Sequence, residues 1–340
     1  MRGTTDNVIH GRTYNPWNDW ASPGGSSGGA SAAVMSGMGS LAHGNDIAGS
    51  LRIPSTATGA CTVKPGLGRV PAFNPSQTQE RGLVAQLMSV QGIIAREIKD
   101  VRLGMQSLIN YDPRDPWMVE MPFESKSVTS PIKIGYTKET LGEVLHPAVD
   151  KALENAIEAL KDAGYILEEI VLPEFQDATN YSARTLFGEL KALHEKDYKK
   201  LGSENFNLVA DNYFQIISPF EGEDLLYGMA KRSYFFREWN LFFRKYPLVL
   251  TPFLLYPTYE WDRDIQGLEG TKEVLAGMFY AHTMNYMGIP AGVVSANYND
   301  GLPVGVQIIS SRFCEDIILK ACEEIEKRVG IMAEKLFARG

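Results

Sequence analysis

Cysteine and histidine are scarce, with three of the first and five of the second among 340 residues. Three thiols cannot all pair, and Cys61, Cys314 and Cys322 make no CxxC. A disulfide framework and a dithiol redox centre are therefore excluded as organising features. The scattered histidines offer no HExxH or comparable spacing, so no zinc motif is present. Cys314 and Cys322 fall in an apolar-periodic segment and read as buried thiols. No uncharged apolar run is long enough to span a bilayer, and the opening Met1-Arg2-Gly3-Thr4-Thr5-Asp6 lacks the apolar core of a secretory leader. The expected setting is reducing and cytoplasmic. Basic excess is missing too. The net charge of −8 argues against nucleic acid or an anionic membrane as the main partner, and the nearest thing to a basic cluster, Lys199-Lys200, reads as a solvated helix face.

What remains is an ordinary soluble composition, 44% hydrophobic and 22% charged, enough to bury a large core. No low-complexity linker or internal repeat divides the chain, so one domain over 1–340 is expected. Residues 1–23 are polar and turn-rich. Ala30 to Met38 suits a tightly packed helix, and Ser40–His43 a short strand. A short helix or turn follows Arg52, then a strand near Thr62-Val63. Ile132–Tyr136 reads as a strand. Pro147–Ala163 is an amphipathic helix, with Val149, Leu153, Ile157 and Leu160 on one face and Gly164 as its cap. Tyr165–Leu167 and Ile170–Leu172 return as strand. Residues 176–245 are helical and aromatic-rich, Leu248–Pro252 is a buried strand and Lys272–Met287 a helix. Ala291–Ala296 leads through an Asn299-Asp300-Gly301 turn into a strand over Val304–Ile309, and Glu315–Arg328 closes the chain as a helix. Strands alternating with helices predict a layered α/β protein.

The most informative feature is a pair of serines set in glycine, twenty-four residues apart. Ser26 lies in Pro23-Gly24-Gly25-Ser26-Ser27-Gly28-Gly29, and Ser50 in Gly44-Asn45-Asp46-Ile47-Ala48-Gly49-Ser50-Leu51-Arg52-Ile53-Pro54. Glycine flanking an ordered helix suggests close backbone approach or unusual φ/ψ rather than a linker. Three mechanisms could use such loops. Gly24–Gly28 satisfies G-x-S-x-G, but a nucleophile elbow needs a preceding strand and a base; Tyr14–Pro23 is a poor strand, and His282 is a lone histidine. A phosphate loop would need a Lys-Ser/Thr or a strand-borne G-x-G-x-x-G, and neither is there. The third mechanism requires both serines.

In that respect the chain resembles the amidase signature family, whose pattern is a GGSSGG block followed at this spacing by G-[TSN]-D-x-[GA]-G-S-[IL]-R-x-P. The resemblance is dense over about residues 6–70. It includes Thr5-Asp6-Asn7, Gly11–Trp17, both serine blocks and Val63-Lys64-Pro65-Gly66-Leu67-Gly68-Arg69-Val70. It resumes at Asp112–Pro116 and Asp300–Gln307, so nearly the whole chain is covered. The family fold is a central mixed β-sheet with helices on both faces. The implied chemistry is amide hydrolysis by a Ser–cis-Ser–Lys triad. Ser50 matches the nucleophile that forms the acyl-enzyme. Ser26 matches the bridging serine, behind a cis Gly25–Ser26 bond, that relays protons. The N–H groups of Ile47, Ala48, Gly49 and Ser50 match the oxyanion hole. Asp46 and Arg52 match positions that brace the loop, and Ser27 a helper within the triad region. Ala48 stands where many relatives carry glycine.

The family's lysine lies upstream of GGSSGG, whereas the first lysine here is Lys64, which matches the downstream Lys-Pro position. The resemblance thus implies a chain shortened at its N-terminus, lacking the base and the elements that would cover the core. Relatives use no metal or organic cofactor, so none is expected. The expected partner is a small amide, and many relatives are dimers. The family's pocket is shaped by a variable region, here about 120–290, where residues 234–243, Met284, Tyr286 and Met287 hint at an apolar or aromatic acyl group. Two other readings stay open: a catalytically dead remnant that binds or scaffolds, and the glutaminase component of a tRNA-dependent amidotransferase. Those components usually show glutamine where this chain has Ile53.

Overall fold

The computed structural model describes residues 2–125 and 131–339; residues 126–130 of the expected variable region lie outside them. A small hairpin, β1 (Asp6–Asn7) and β2 (Gly11–Arg12), precedes helix α1 (Gly28–Met35). Then come β3 (Leu41–Asp46), α2 (Arg52–Thr58), β4 (Cys61–Lys64), α3 (Leu83–Met88), β5 (Val90–Ala95) and α4 (Ile98–Leu108). The middle comprises β6 (Lys133–Tyr136), α5 (Pro147–Asp162), β7 (Ile166–Glu169), α6 (Phe175–Leu201), α7 (Glu204–Ile217) and α8 (Gly222–Phe243). The remainder is β8 (Leu248–Pro252), α9 (Gly267–Ala276), α10 (Phe279–Met287), β9 (Ala291–Asn299), β10 (Leu302–Ser310), α11 (Glu315–Val329) and α12 (Met332–Phe337).

Eight strands form one mixed sheet in the order β3-β5-β4-β9-β10-β8-β6-β7. Pairing is antiparallel from β3 to β8, and parallel between β8 and β6 and between β6 and β7. Side chains alternate across a strand, so successive residues enter opposite cores. Leu248, Leu250, Val294 and Ile308 pack with α4, α5 and α11. Val249, Val293 and Ile309 pack with α3, α6, α8 and α10. This is the expected α/β architecture with helices on both faces. Among the described residues no helix is long and apolar enough to cross a membrane.

Several expected elements differ. Ile170–Leu172 is not strand: Ile170 N–H still bonds to the Tyr136 carbonyl (2.9 Å), but Val171 is exposed and the chain turns into α6. The helix expected over Lys272–Met287 is two, α9 and α10, with a break at Gly277-Met278. Residues 176–245 form three helices, and α12 follows the helix expected to be last. Cys322 is fully buried, whereas Cys314 is only half-buried because it sits at the start of α11. The aromatic segment is core: Phe235, Trp239 and Phe243 are buried, as are Met284, Tyr286 and Met287. These residues pack between α6, α8 and α10.

Candidate active site

The two serine blocks meet at one end of the sheet. Ser26 and Ser27 immediately precede α1, and Asp46 ends β3, so the 47–51 loop links β3 to α2. Ser27 N–H donates to the Ser50 carbonyl (3.2 Å), joining the blocks directly. The Gly25–Ser26 peptide is cis. Gly25 lies so close to the chain that an added Cβ would stand 2.3 Å from the Thr4 carbonyl oxygen, so only glycine fits. Ser26 is exposed and Ser50 half-buried. Among the described residues neither hydroxyl is held in a hydrogen bond. Ser27 Oγ donates weakly to the Asn45 carbonyl (3.5 Å).

Asp46 organises the loop. Its carboxylate is fully buried and accepts from Gly49 N–H (2.7 Å) and Leu51 N–H (3.2 Å). Arg52 meets it with two side-chain bonds, Nε to Oδ2 (3.0 Å) and Nη2 to Oδ1 (3.1 Å). Burial acts to raise the Asp46 carboxyl, but the Arg52 charge and hydrogen bonds outweigh it and hold the group below its usual range. Arg52 is equally buried and also donates to Gln307 Oε1 (2.8 Å), the Ala281 carbonyl (2.9 Å) and Asn285 Oδ1 (2.5 Å).

The N–H groups expected to form the oxyanion hole differ in their partners. Gly49 N–H is turned inward onto Asp46, whereas among the described residues those of Ile47, Ala48 and Ser50 bond to no protein acceptor. Gly49 has φ +108°, and a Cβ there would stand 2.7 Å from both Ala281 Cβ and Ile53 Cδ1. Both backbone angle and space therefore require glycine.

Lys64, fully buried at the end of β4, donates to the Pro65 carbonyl (2.8 Å) and to no serine. Burial, followed by the neighbouring Arg52 charge, pushes it down to about 7. His282 is buried on α10 against Ser182 Oγ (3.0 Å), and burial lowers it to about 4. Residues 14–23 contain no strand, only isolated bridges. The nucleophile-elbow arrangement is thus ruled out, since Ser26 lacks the strand that would present it. Among the described residues no group of three or more His, Cys, Asp or Glu is disposed to hold a metal ion.

The amidase family model matches residues 1–319. An indoleacetamide hydrolase of Bradyrhizobium japonicum is 38% identical over 338 residues, covering 99% of this chain and 73% of the relative. The A component of a glutamyl-tRNA(Gln) amidotransferase of Methanosarcina acetivorans is 26% identical over 355 residues, covering 96% and 72%. In structure, a bacterial aryl acylamidase of the amidase signature enzymes superposes with a TM-score of 0.76 at 24% identity, covering 98% of this chain and 72% of that one. A family model spanning most of the chain, a 38% identical relative and the shared mixed-sheet fold give one conclusion: the chain belongs to the amidase signature family of hydrolases.

Proposed function

We propose that the chain hydrolyses a small carboxamide through an acyl-enzyme on Ser50. The observation that carries this reading is the free state of the Ile47, Ala48 and Ser50 N–H groups on a loop whose Gly49 and Leu51 amides are committed to Asp46. Ser50 Oγ attacks the carbonyl carbon, and its proton passes to Ser26 Oγ as the latter's own proton moves on to solvent water at the exposed Ser26. The carbonyl oxygen gains negative charge beside the free N–H groups, each worth about 3–4 kcal/mol when critical. Collapse breaks the C–N bond, Ser26 returns a proton to the departing nitrogen, and Ser50 holds the acyl group as an ester. Water then attacks the ester and releases the acid. Gly25 and Ser27 keep Ser26 against the Ser50 loop, and the Asp46–Arg52 pair holds the loop from behind.

Among the described residues no lysine, histidine or carboxylate hydrogen-bonds to Ser26. Acylation of this chain is therefore expected to be slow, with Ser50 as its site. The relative named for indoleacetamide supports a primary amide of an arylacetic acid as substrate. Prolonged incubation with a fluorophosphonate followed by peptide mapping tests the assignment. Slow labelling confined to Ser50 and absent in Ser50→Ala is expected. Label on another serine, or equal labelling of Ser50→Ala, overturns it.

A further inference from the structure

A cleft of about 630 Å³ lies between residues 67–81, the junction of α3 with β5, and residues 113–117. That is the size of a small-molecule site. It borders the serine motifs without containing them. Ser89 and Val90 line it, Val90 is the cross-strand partner of Asp46, and Asn45 Nδ2 donates to Ser89 Oγ (2.8 Å). Arg81 is fixed in its wall. Nη1 donates to the same Ser89 Oγ (2.9 Å), and Gln86 Nε2 holds the Arg81 carbonyl (2.7 Å). Trp117 Nε1 in turn holds Gln86 Oε1 (2.9 Å).

Among the described residues no carboxylate pairs with Arg81. The other charges of the cleft are committed elsewhere or stand at its rim. Asp115 accepts from the N–H groups of Ala72 (2.6 Å) and Trp117 (2.8 Å). Arg114 pairs with Asp112 (2.7 Å) and lies over Phe73. Glu80 is exposed and makes no bond to Arg81. A guanidinium has five N–H donors in a planar fork, and Arg81 spends one of them on Ser89. Ser89 Oγ receives two donors, so its own O–H must point away from both. A pre-oriented guanidinium beside a buried hydroxyl matches a carboxylate. Phe73 and Trp117 supply apolar surface next to it.

We propose that this cleft is a carboxylate-binding subsite, clamped by Arg81 and Ser89. The proposal rests on the Ser50 reading only for the origin of its ligand: a second carboxylate carried by the amide substrate, or the acid released by hydrolysis.

Calorimetric titration of the full chain with phenylacetate and with phenylacetamide tests it. Phenylacetate is expected to bind at least about tenfold more tightly than the amide. Arg81→Gln should weaken acid binding by roughly ten- to a hundredfold without moving the melting temperature, and Arg81→Lys should recover part of it because charge survives but the fork does not. Acid and amide binding alike, or unchanged acid binding in Arg81→Gln, overturns the subsite. Ser50→Ala should bind phenylacetate as the parent does, so loss of the Ser50 assignment alone leaves this result standing. Hydrolysis of glutaramate in preference to its methyl ester, lost in Arg81→Gln, identifies the substrate as the source. Equal hydrolysis with inhibition by phenylacetate identifies the product, and equal hydrolysis without inhibition refutes both.

Discussion

Asp46→Asn is the sharpest probe of the loop. Asparagine keeps the shape of the side chain but turns one oxygen into an NH2 group. If Oδ1 is replaced, the new donor faces Gly49 N–H and Arg52 Nη2. If Oδ2 is replaced, it faces Leu51 N–H and Arg52 Nε. Either orientation sets at least one donor against two others and leaves Arg52 buried without its counter-charge. Breaking a buried pair by removing one partner costs about 3–5 kcal/mol. The lower end is expected here, since Arg52 keeps Gln307, Ala281 and Asn285. With an unfolding entropy of about 2.1 cal/mol/K per residue, the melting temperature of a 340-residue chain should fall by roughly 4 °C. The pH dependence supplies a second check. Asp46 is held below its usual range in the fold, so its contribution is fully present above an unfolded value of about 3.9 and is lost as pH falls through the folded value. Urea titration by tryptophan fluorescence at pH 7 and at successively lower pH should show the gap between parent and variant narrowing on acidification. A gap under about 1 kcal/mol at pH 7, or one that does not narrow, would refute the reasoning.

Lys64→Met should change the alkaline limb. Lys64 is pushed down to about 7 in the fold, so between about 7 and its unfolded value near 10.4 the unfolded chain binds more protons and stability rises with pH. Urea midpoints at pH 7 and 9 should differ in the parent and much less in the variant; equal slopes would count against it. Gly49→Ala should disable Ser50, because a Cβ would collide with Ala281 and Ile53 at a φ of +108°. The fluorophosphonate rate is expected to fall at least about tenfold, and labelling at the parental rate would show that the loop tolerates the change.

How far the sequence disclosed the structure depends on where each determinant lies. Strand β8 coincides with its apolar run, Leu248–Pro252. Helix α5 is marked by Pro147 at its start, by its apolar spacing and by Gly164 just past its end. The β9–β10 turn takes positive φ at Asp300 and Gly301, as that pair of residues suggests. Strand β5 gave no such signal. It carries no clean alternation, and Gly92 interrupts it because a Cβ there would stand 2.6 Å from Leu51 Cδ1. The serine blocks were legible because each is contiguous. The inward turn of Gly49 N–H depends on the rotation of one peptide plane, which residue identity does not specify. The remaining partners of Arg52 lie 229 to 255 residues downstream. Arg81 falls in a stretch without periodicity, and its setting is visible only once Asn45, Ser89 and Trp117 are brought together.

On the proposed reading, a buried carboxylate beneath oxyanion-stabilising amides would defeat their purpose if its charge stood alone. Two negative charges about 5 Å apart at an effective dielectric of 20 repel by roughly 3 kcal/mol, as much as one good oxyanion donor contributes. Arg52 removes the conflict by meeting Asp46 with two side-chain bonds. The same pairing explains why the nearby Lys64 is not needed as a counter-ion: burial and the Arg52 charge work against its proton, and the Asp46 charge that would favour it is already matched. Asp46 can therefore act as an acceptor of backbone N–H groups with little net field at the loop. Because it takes the amides of Gly49 and Leu51, Asp46 leaves the Ser50 N–H between them without a protein acceptor among the described residues. Which amides of this loop turn inward is thus set by the Asp46–Arg52 pair, a positioning role on the proposed reading rather than a part in proton transfer.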